Sequence, residues 1–366
     1  MRKILITTVA IAGVAFMSLS GCSSRGTDTA GPASGFEKGS VIGVALPDKT
    51  SENWVLAGKL FEDGLAAAGY KADVQYAPAT NTVAEQQNQI TSMTTKGAKV
   101  IIIGAKDGSQ LGSQVSAAHS AGATVIAYDR LILNTKDVDY YVAYDNEKVG
   151  ELQGQALLDG MKARYPDAKS YNVELFSGSS DDANAPVFFN GAMKVLKPKI
   201  DDGTLKVVSG QTDIKQTATA GWLAQNAQTR MDTLLAGNYA NTELNGVLSP
   251  NDTLARAIIT SIKAAGKATP VLPIVTGQDS EAESVKSIMA DEQYSTINKD
   301  TRALVKHSIQ MVEDLAKGTK TDTNSTDYNN GVKVVPTYLL PPVLVTKENA
   351  AESYANDPTL EPLTKP

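Results

Sequence analysis

The sequence predicts an α/β protein made of two lobes, each built on a parallel sheet. Short β-branched runs alternate with amphipathic stretches at helical spacing from Ser40 to about residue 276. Strict strand–helix alternation implies right-handed crossovers and a sheet covered on both faces. The alternation also restarts after Tyr140–Tyr144, which makes a second sheet of the same kind. Several apolar runs end abruptly in polar residues: V-I-I-I-G-A-K-D at 100–107, T-V-I-A-Y-D-R at 124–130, N-G-V-L-S-P-N-D at 245–252 and P-I-V-T-G-Q-D at 273–279. Ligands of open parallel sheets bind beyond such carboxyl ends, so two lobes of this kind imply a cleft between them.

In order, strands are expected at 40–46, 73–76, 100–104, 124–128 and 140–144. Helices are expected between them at 53–69, 83–95 and 109–120, with Gly69, Gly97 and Gly122 as stop signals. The second set reads helix 147–163, strand 172–176, helix 185–197, strand 205–208, helix 223–236, strand 246–249, helix 253–265 and strand 273–276.

The first 22 residues stand apart. Arg2 and Lys3 precede an apolar run to Leu19, closing in Leu19-Ser20-Gly21-Cys22. This pattern is a secretory signal, excluded from the fold. Its end resembles a bacterial lipobox, which makes Cys22 the lipid-attachment residue and mature N-terminus. Cys22 is the sole cysteine, so no disulfide is expected. Residues 22–39, rich in Gly, Ser and Thr, read as a flexible tether.

The chain has 366 residues and a formal net charge of −6. Without Arg2 and Lys3 it carries 32 basic against 40 acidic residues, a net −8. An acidic balance argues against a nucleic-acid partner. Beyond the signal, no segment approaches the roughly 18 apolar residues of a membrane span.

Catalytic and metal chemistry find little support. The two histidines, His119 and His307, lie in amphipathic helices, where a surface position accounts for them. Nucleophile-elbow, zinc-protease, P-loop and dinucleotide motifs are absent from the sequence. The Asn-rich stretch 322–331 reads as a solvated turn, because Thr326 and Asp327 do not suit a calcium loop. Asp181-Asp182 could be a carboxylate pair, but neighbours in sequence diverge in direction, and Asp182 reads instead as the N-cap of the helix that follows. Neither a metal nor a cofactor is expected. Acceptors, amides and a fixed cation at several strand ends suit a neutral, hydroxyl-rich ligand. Trp54 and Trp222, the two tryptophans, fall beside strand ends where a flat ring could cover a sugar's C–H face.

Seven segments carry a family likeness: V-I-A-Y-D-R-L-I (125–132), Y-D-N-E-K-V-G-E-L-Q (144–153), G-A-M-K-V-L-K-P (191–198), L-S-P-N-D (248–252), V-T-G-Q-D (275–279), Y-S-T-I-N-K-D-T-R (294–302) and N-G-V-K-V-V-P-T-Y-L-L (330–340). The chain resembles substrate-binding proteins of bacterial ABC sugar importers, in the xylose and multiple-monosaccharide-binding group. The likeness implies a type I periplasmic binding protein fold: two Rossmann-like lobes joined by three hinge crossings. By that likeness the first lobe is 40–146 with 279–317 and the second 147–278 with 318–366, crossing near Asp145-Asn146, Gln278-Asp279 and Gly318.

The resemblance also implies a binding site. Asp129 and Arg130 match a pair gripping adjacent ring hydroxyls, and Asn184 a polar contact from the second lobe. Asn251 and Asp252, and then Gln278 and Asp279, match further hydrogen-bonding positions, while Trp54 and Trp222 match stacking aromatics. Lys49 and Lys299 belong at the edge. Asn53 stands where close relatives carry Arg, and Ala183, Pro186 and Val187 replace more polar or aromatic residues, which bears on the choice of sugar. Implied partners are a monosaccharide, the permease subunits, the membrane through Cys22, and a chemoreceptor or sensor; a monomer is expected. The alternatives are a same-fold receptor for a nucleoside or signalling molecule, a sugar-sensing accessory, and an exported glycoside-acting enzyme using Asp129 and Asp252.

Overall fold

The strands of the first lobe are sorted by side-chain alternation. In the strand Val100–Ile103, Ile101 and Ile103 enter one core while Val100 and Ile102 enter the other. Val125 and Ala127 likewise oppose Ile126 and Tyr128. A period of two along the chain therefore builds two cores, one on each sheet face. The structure, a computed structural model, describes residues 35–78, 83–268 and 271–365. The expected signal, most of the tether and Cys22 lie outside these residues. Among the described residues no helix is long and apolar enough to cross a membrane.

The first lobe alternates β1 (Val41–Leu46), α1 (Glu52–Ala67), β2 (Lys71–Tyr76), α2 (Val83–Thr95), β3 (Val100–Ile103), α3 (Gly112–Ser120), β4 (Thr124–Tyr128) and β5 (Tyr140–Tyr144). Helix α3 starts three residues later than the sequence suggests. The Asp107 carboxylate accepts from Ser109 N and Oγ, holding this stretch as a side-chain-capped turn.

The chain then crosses into α4 (Asn146–Arg164), β6 (Tyr171–Leu175), α5 (Ala185–Asp201), β7 (Leu205–Val207), α6 (Ile214–Thr217), α7 (Ala224–Ala236), β8 (Gly246–Leu248), α8 (Asp252–Ala264), β9 (Ile274–Val275), α9 (Ala282–Met289) and β10 (Ser295–Asn298). Helices α4 and α5 meet backbone to backbone. A Cβ on Gly150 would stand 2.0 Å from Phe188 O, and one on Gly191 would stand 2.2 Å from Glu147 O. Then follow α10 (Thr301–Ala316), β11 (Thr337–Leu340), β12 (Val343–Thr346), α11 (Ala350–Ser353) and a short 3-10 turn at Glu361–Thr364.

The first sheet runs β11-β5-β4-β3-β1-β2 and the second β7-β6-β8-β9, each parallel throughout, while β10 and β12 form a separate antiparallel pair. These pairings correct the expected division of the C-terminal half. Residues 279–298 belong to the second lobe, because Tyr294 N bonds to Val275 O and Ile297 packs with Val149 and Phe188. Helix α10 returns to the first lobe, where Leu304, Val305 and Met311 join the core of Phe61 and Tyr128. Residues 321–340 stay there: β11 pairs with β5, and Val335 is buried against Tyr141. The stretch 322–331 is mostly exposed, but Asn330 is buried and donates to Ile132 O and Thr135 O. The lobes are thus connected at three places, 144–146, 298–301 and 340–343. The second and third lie about twenty residues beyond the positions expected at Gln278-Asp279 and Gly318.

Candidate functional site

The carboxyl ends of β1, β3 and β4 face those of β6, β8 and β9 across an interlobe cavity. Asn53, Trp54, Asp129 and Arg130 line it from the first lobe, and Asn184, Trp222, Asn251, Gln278, Asp279 and Lys299 from the second-lobe side. The two lobes touch around it. Asn184 Nδ2 donates to Asp129 O at 2.8 Å, and its Oδ1 lies 3.3 Å from Tyr141 Oη. Arg130 Nε lies 3.0 Å from Asp182 Oδ2.

Each indole is held at a defined angle. Trp54 stands in the first turn of α1, capped by Ser51, whose Oγ accepts from Asn53 N. The Arg130 guanidinium lies 5.3 Å from its ring centroid, within cation–π range, and Tyr128 meets it edge-on. Trp222 donates Nε1–H to Asp182 Oδ2 at 3.1 Å. Its ring lies on Gly178, where a Cβ would come within 2.1 Å of the indole. Only glycine leaves room for that ring.

The backbone is strained where it serves the cavity. Asp129, Trp222 and Asp279, all lining the cavity, have φ of 60°, 55° and 98°, a region that ordinary L-residues avoid. Such strain persists where surrounding bonds over-determine the geometry. Asp129 O, for example, accepts from both Tyr141 Oη at 2.7 Å and Asn184 Nδ2.

The charges interlock. Lys299 is 9% exposed, with Nζ 3.0 Å from Asp279 Oδ1 and 4.0 Å from Asp129 Oδ2. Burial acts to depress its pKa, but Asp279 and Asp129 together hold it above the ordinary lysine value. Burial raises the Asp279 and Asp182 carboxyls, against the lowering effect of Lys299 on the first and Arg130 on the second. Asp48 shows the reverse balance: burial is outweighed by hydrogen bonds from Thr50 and the charges of Lys106 and Arg130. Gln278 donates to Pro250 O at 2.6 Å, while its buried Oε1 has no protein donor. That acceptor suits a ligand hydroxyl.

Two expected residues fall outside the cavity lining. Lys49 is exposed and lies over the Tyr76 ring, with Nζ 4.6 Å from its centroid. Asp252 is fully buried behind the cleft and spends both oxygens on the protein. Oδ1 accepts from Gln293 Nε2, and Oδ2 from Thr296 Oγ1 and Glu281 N. Burial and then the nearby Glu281 push its carboxyl well up. It is a structural acceptor joining α8, α9 and β10.

Asp182 also plays a different part from the helix cap expected. It receives Asn184 N at 2.9 Å, but α5 begins after Asn184, and its other oxygen serves Arg130 and Trp222. The residues that sequence reasoning missed include Ser51, Phe188, Thr253 and the Asp48–Lys106 ion pair at 3.3 Å. Asp48 and Lys106 lie two and three residues beyond the ends of β1 and β3, and that position was the available signal. Thr253 and Phe188 lie within helices and had none. Among the described residues, no group of three or more His, Cys, Asp or Glu is arranged to hold a metal.

Two parallel-sheet lobes, three crossings and a polar interlobe cavity define a solute-binding protein. The periplasmic binding protein domain matches residues 42–320, and the chain belongs to that family. It is 49% identical over 322 residues to the multiple sugar-binding periplasmic receptor ChvE of Rhizobium radiobacter, covering 87% of this chain and 90% of that protein. It is 35% identical to the D-xylose-binding periplasmic protein of Escherichia coli (strain K12), covering 86% of this chain and 89% of that one. A solved ABC transporter solute-binding protein from Clostridium phytofermentans, with bound β-D-glucose, superposes with a TM-score of 0.83 at 39% identity. The match covers 89% of this chain and all of that one.

Proposed function

We propose that this chain is the extracytoplasmic monosaccharide-binding component of an ABC importer. It would trap an aldose between its lobes and hand it to the permease. The cavity itself carries the reading: one indole from each lobe lines it, together with several carboxylates and cations. A sugar hydroxyl both donates and accepts, so a carboxylate and a neighbouring guanidinium or ammonium can satisfy it at once. An unpaired buried partner costs about 1–3 kcal/mol, enough to separate epimers. The relatives named for sugars, and the solved relative holding glucose, support this reading. Hinge closure would create the form that a permease distinguishes from the open one.

Calorimetric titration with glucose, galactose, xylose and arabinose tests it, followed by mass and NMR analysis of the recovered sugar. Saturable binding with the sugar returned unchanged is expected. Steady product formation would favour a glycoside-acting enzyme, and no binding to any of the four would overturn the proposal.

We further propose that Cys22 anchors the mature chain to a membrane. Two acyl chains hold where one binds marginally, so Cys22→Ser should release the protein or leave it uncleaved. Cell fractionation reads this; normal cleavage with full membrane retention would exclude the anchor.

A further inference from the structure

On the first lobe, Ser51 caps α1 and Glu52 is its first residue. On the second lobe, Glu281 precedes α9 and Ala282 is its first residue. These two helix starts meet across the cleft and bond reciprocally. Ser51 Oγ donates to Glu281 Oε1 at 2.9 Å, and Ala282 N donates to Glu52 Oε2 at 2.9 Å. Each acidic side chain thereby faces the partially positive start of the opposite helix, where a negative charge is stabilised.

Glu281 is set in place by its own lobe. Its side chain is fully buried and accepts from Arg256 Nη2 at 2.6 Å and from Thr253 Oγ1 at 2.8 and 3.0 Å. Thr253 and Ser51 also line the cavity, whereas Glu52 and Glu281 do not. The bonds at Glu52 and Ser51 join elements whose only covalent connection is through the crossings, so parting of the lobes would break them.

We infer that Ser51–Glu52 and Glu281–Ala282 form a clasp that sets how long the closed form lasts, and so how long a ligand stays bound. Glu52 is a positioning residue: it acts on closure and touches no ligand. The inference rests on the proposed sugar reading for its main test.

Stopped-flow binding on Glu52→Ala provides that test. A bond existing only in the closed form should slow opening, so the sugar off-rate should rise about 5- to 10-fold, with the on-rate within about twofold. The factor should be the same for glucose, galactose, xylose and arabinose, because the clasp does not read hydroxyls. Glu52→Gln keeps an acceptor for Ala282 N and should recover most of the effect. Glu62→Ala, on the same helix, should change nothing. An unchanged off-rate, or a factor that depends on the sugar, would overturn the clasp.

If the natural chain binds none of the four sugars, the functional reading fails. The clasp is then judged by small-angle scattering of the ligand-free protein. A larger radius of gyration in Glu52→Ala supports it, and an unchanged one overturns it.

Discussion

Asp182→Ala should weaken sugar binding by roughly two to three and a half powers of ten, while the sugar-free protein loses only the two hydrogen bonds that Asp182 makes within its own lobe. Asp182 is 4% exposed, forms an ion pair with Arg130 of the other lobe, and accepts hydrogen bonds from the Trp222 indole and Asn184 N. Removing one partner of a buried ion pair costs about 3–5 kcal/mol, because the other charge is left uncompensated. Arg130 and Asp182 sit on different lobes, so this cost falls on closure rather than on folding of either lobe. Trp222 would also lose the acceptor that sets its angle.

Acidification should act in the same direction. The Asp182 and Asp279 carboxyls are raised above the ordinary 3.8, chiefly by burial, so they protonate while exposed aspartates are still ionised. Each proton removes an acceptor, and affinity should fall as the pH drops through their raised values. For stability the sign is opposite: a carboxyl raised in the folded state favours folding below its unfolded value, and that contribution is lost as pH rises through the folded value. These two groups therefore weaken binding in acid without driving unfolding. Calorimetry across pH, with Asp182→Asn beside the natural chain, separates the effects. A pH slope unchanged in that variant, or an affinity loss in Asp182→Ala below tenfold, would exclude the bridging role.

Much of this was legible in the sequence because strand ends mark themselves. The runs ending at Asp129-Arg130, Asn251 and Gln278-Asp279 change from apolar to polar within one or two residues, and parallel strands put such ends on one edge. Asp252 misled for the same reason. It follows the same strand, but as the first residue of α8 it turns inward to Gln293 and Thr296. Neither of those partners is near it in sequence. The crossings were misplaced because β10, β11 and β12 are four residues each, and pairing with distant strands assigns them to a lobe. No local periodicity encodes such a choice. The partners of Asp182 were hidden too, since Arg130 and Trp222 lie 52 and 40 residues away along the chain.

Asp129→Asn should weaken binding by about 1.5–3 kcal/mol, the usual worth of a hydrogen bond to a charged group and roughly 10- to 150-fold in Kd. Asparagine is the informative replacement because Asp129 sits at a φ of 60°, which Asn tolerates and Ala resists. The backbone carbonyl at 129 would keep its bonds from Tyr141 and Asn184, so the loop and the lobe contact survive. Lys299 would lose the carboxylate at 4.0 Å but keep Asp279 at 3.0 Å, so no buried cation is stranded. This differs from removing Asp182, since the partner of Arg130 is Asp182 and not its sequence neighbour. The melting temperature of sugar-free Asp129→Asn should accordingly stay close to that of the natural chain, whereas Asp129→Ala should add a cost of about 1–2 kcal/mol from its left-handed backbone. The loss should also vary among sugars, being smallest for an epimer that presents no hydroxyl to this carboxylate. Calorimetry on both variants against the four aldoses, with thermal unfolding alongside, reads each part. A Kd within threefold of the natural chain for all four sugars, with folding intact, would mean that the Asp129 carboxylate does not meet the ligand.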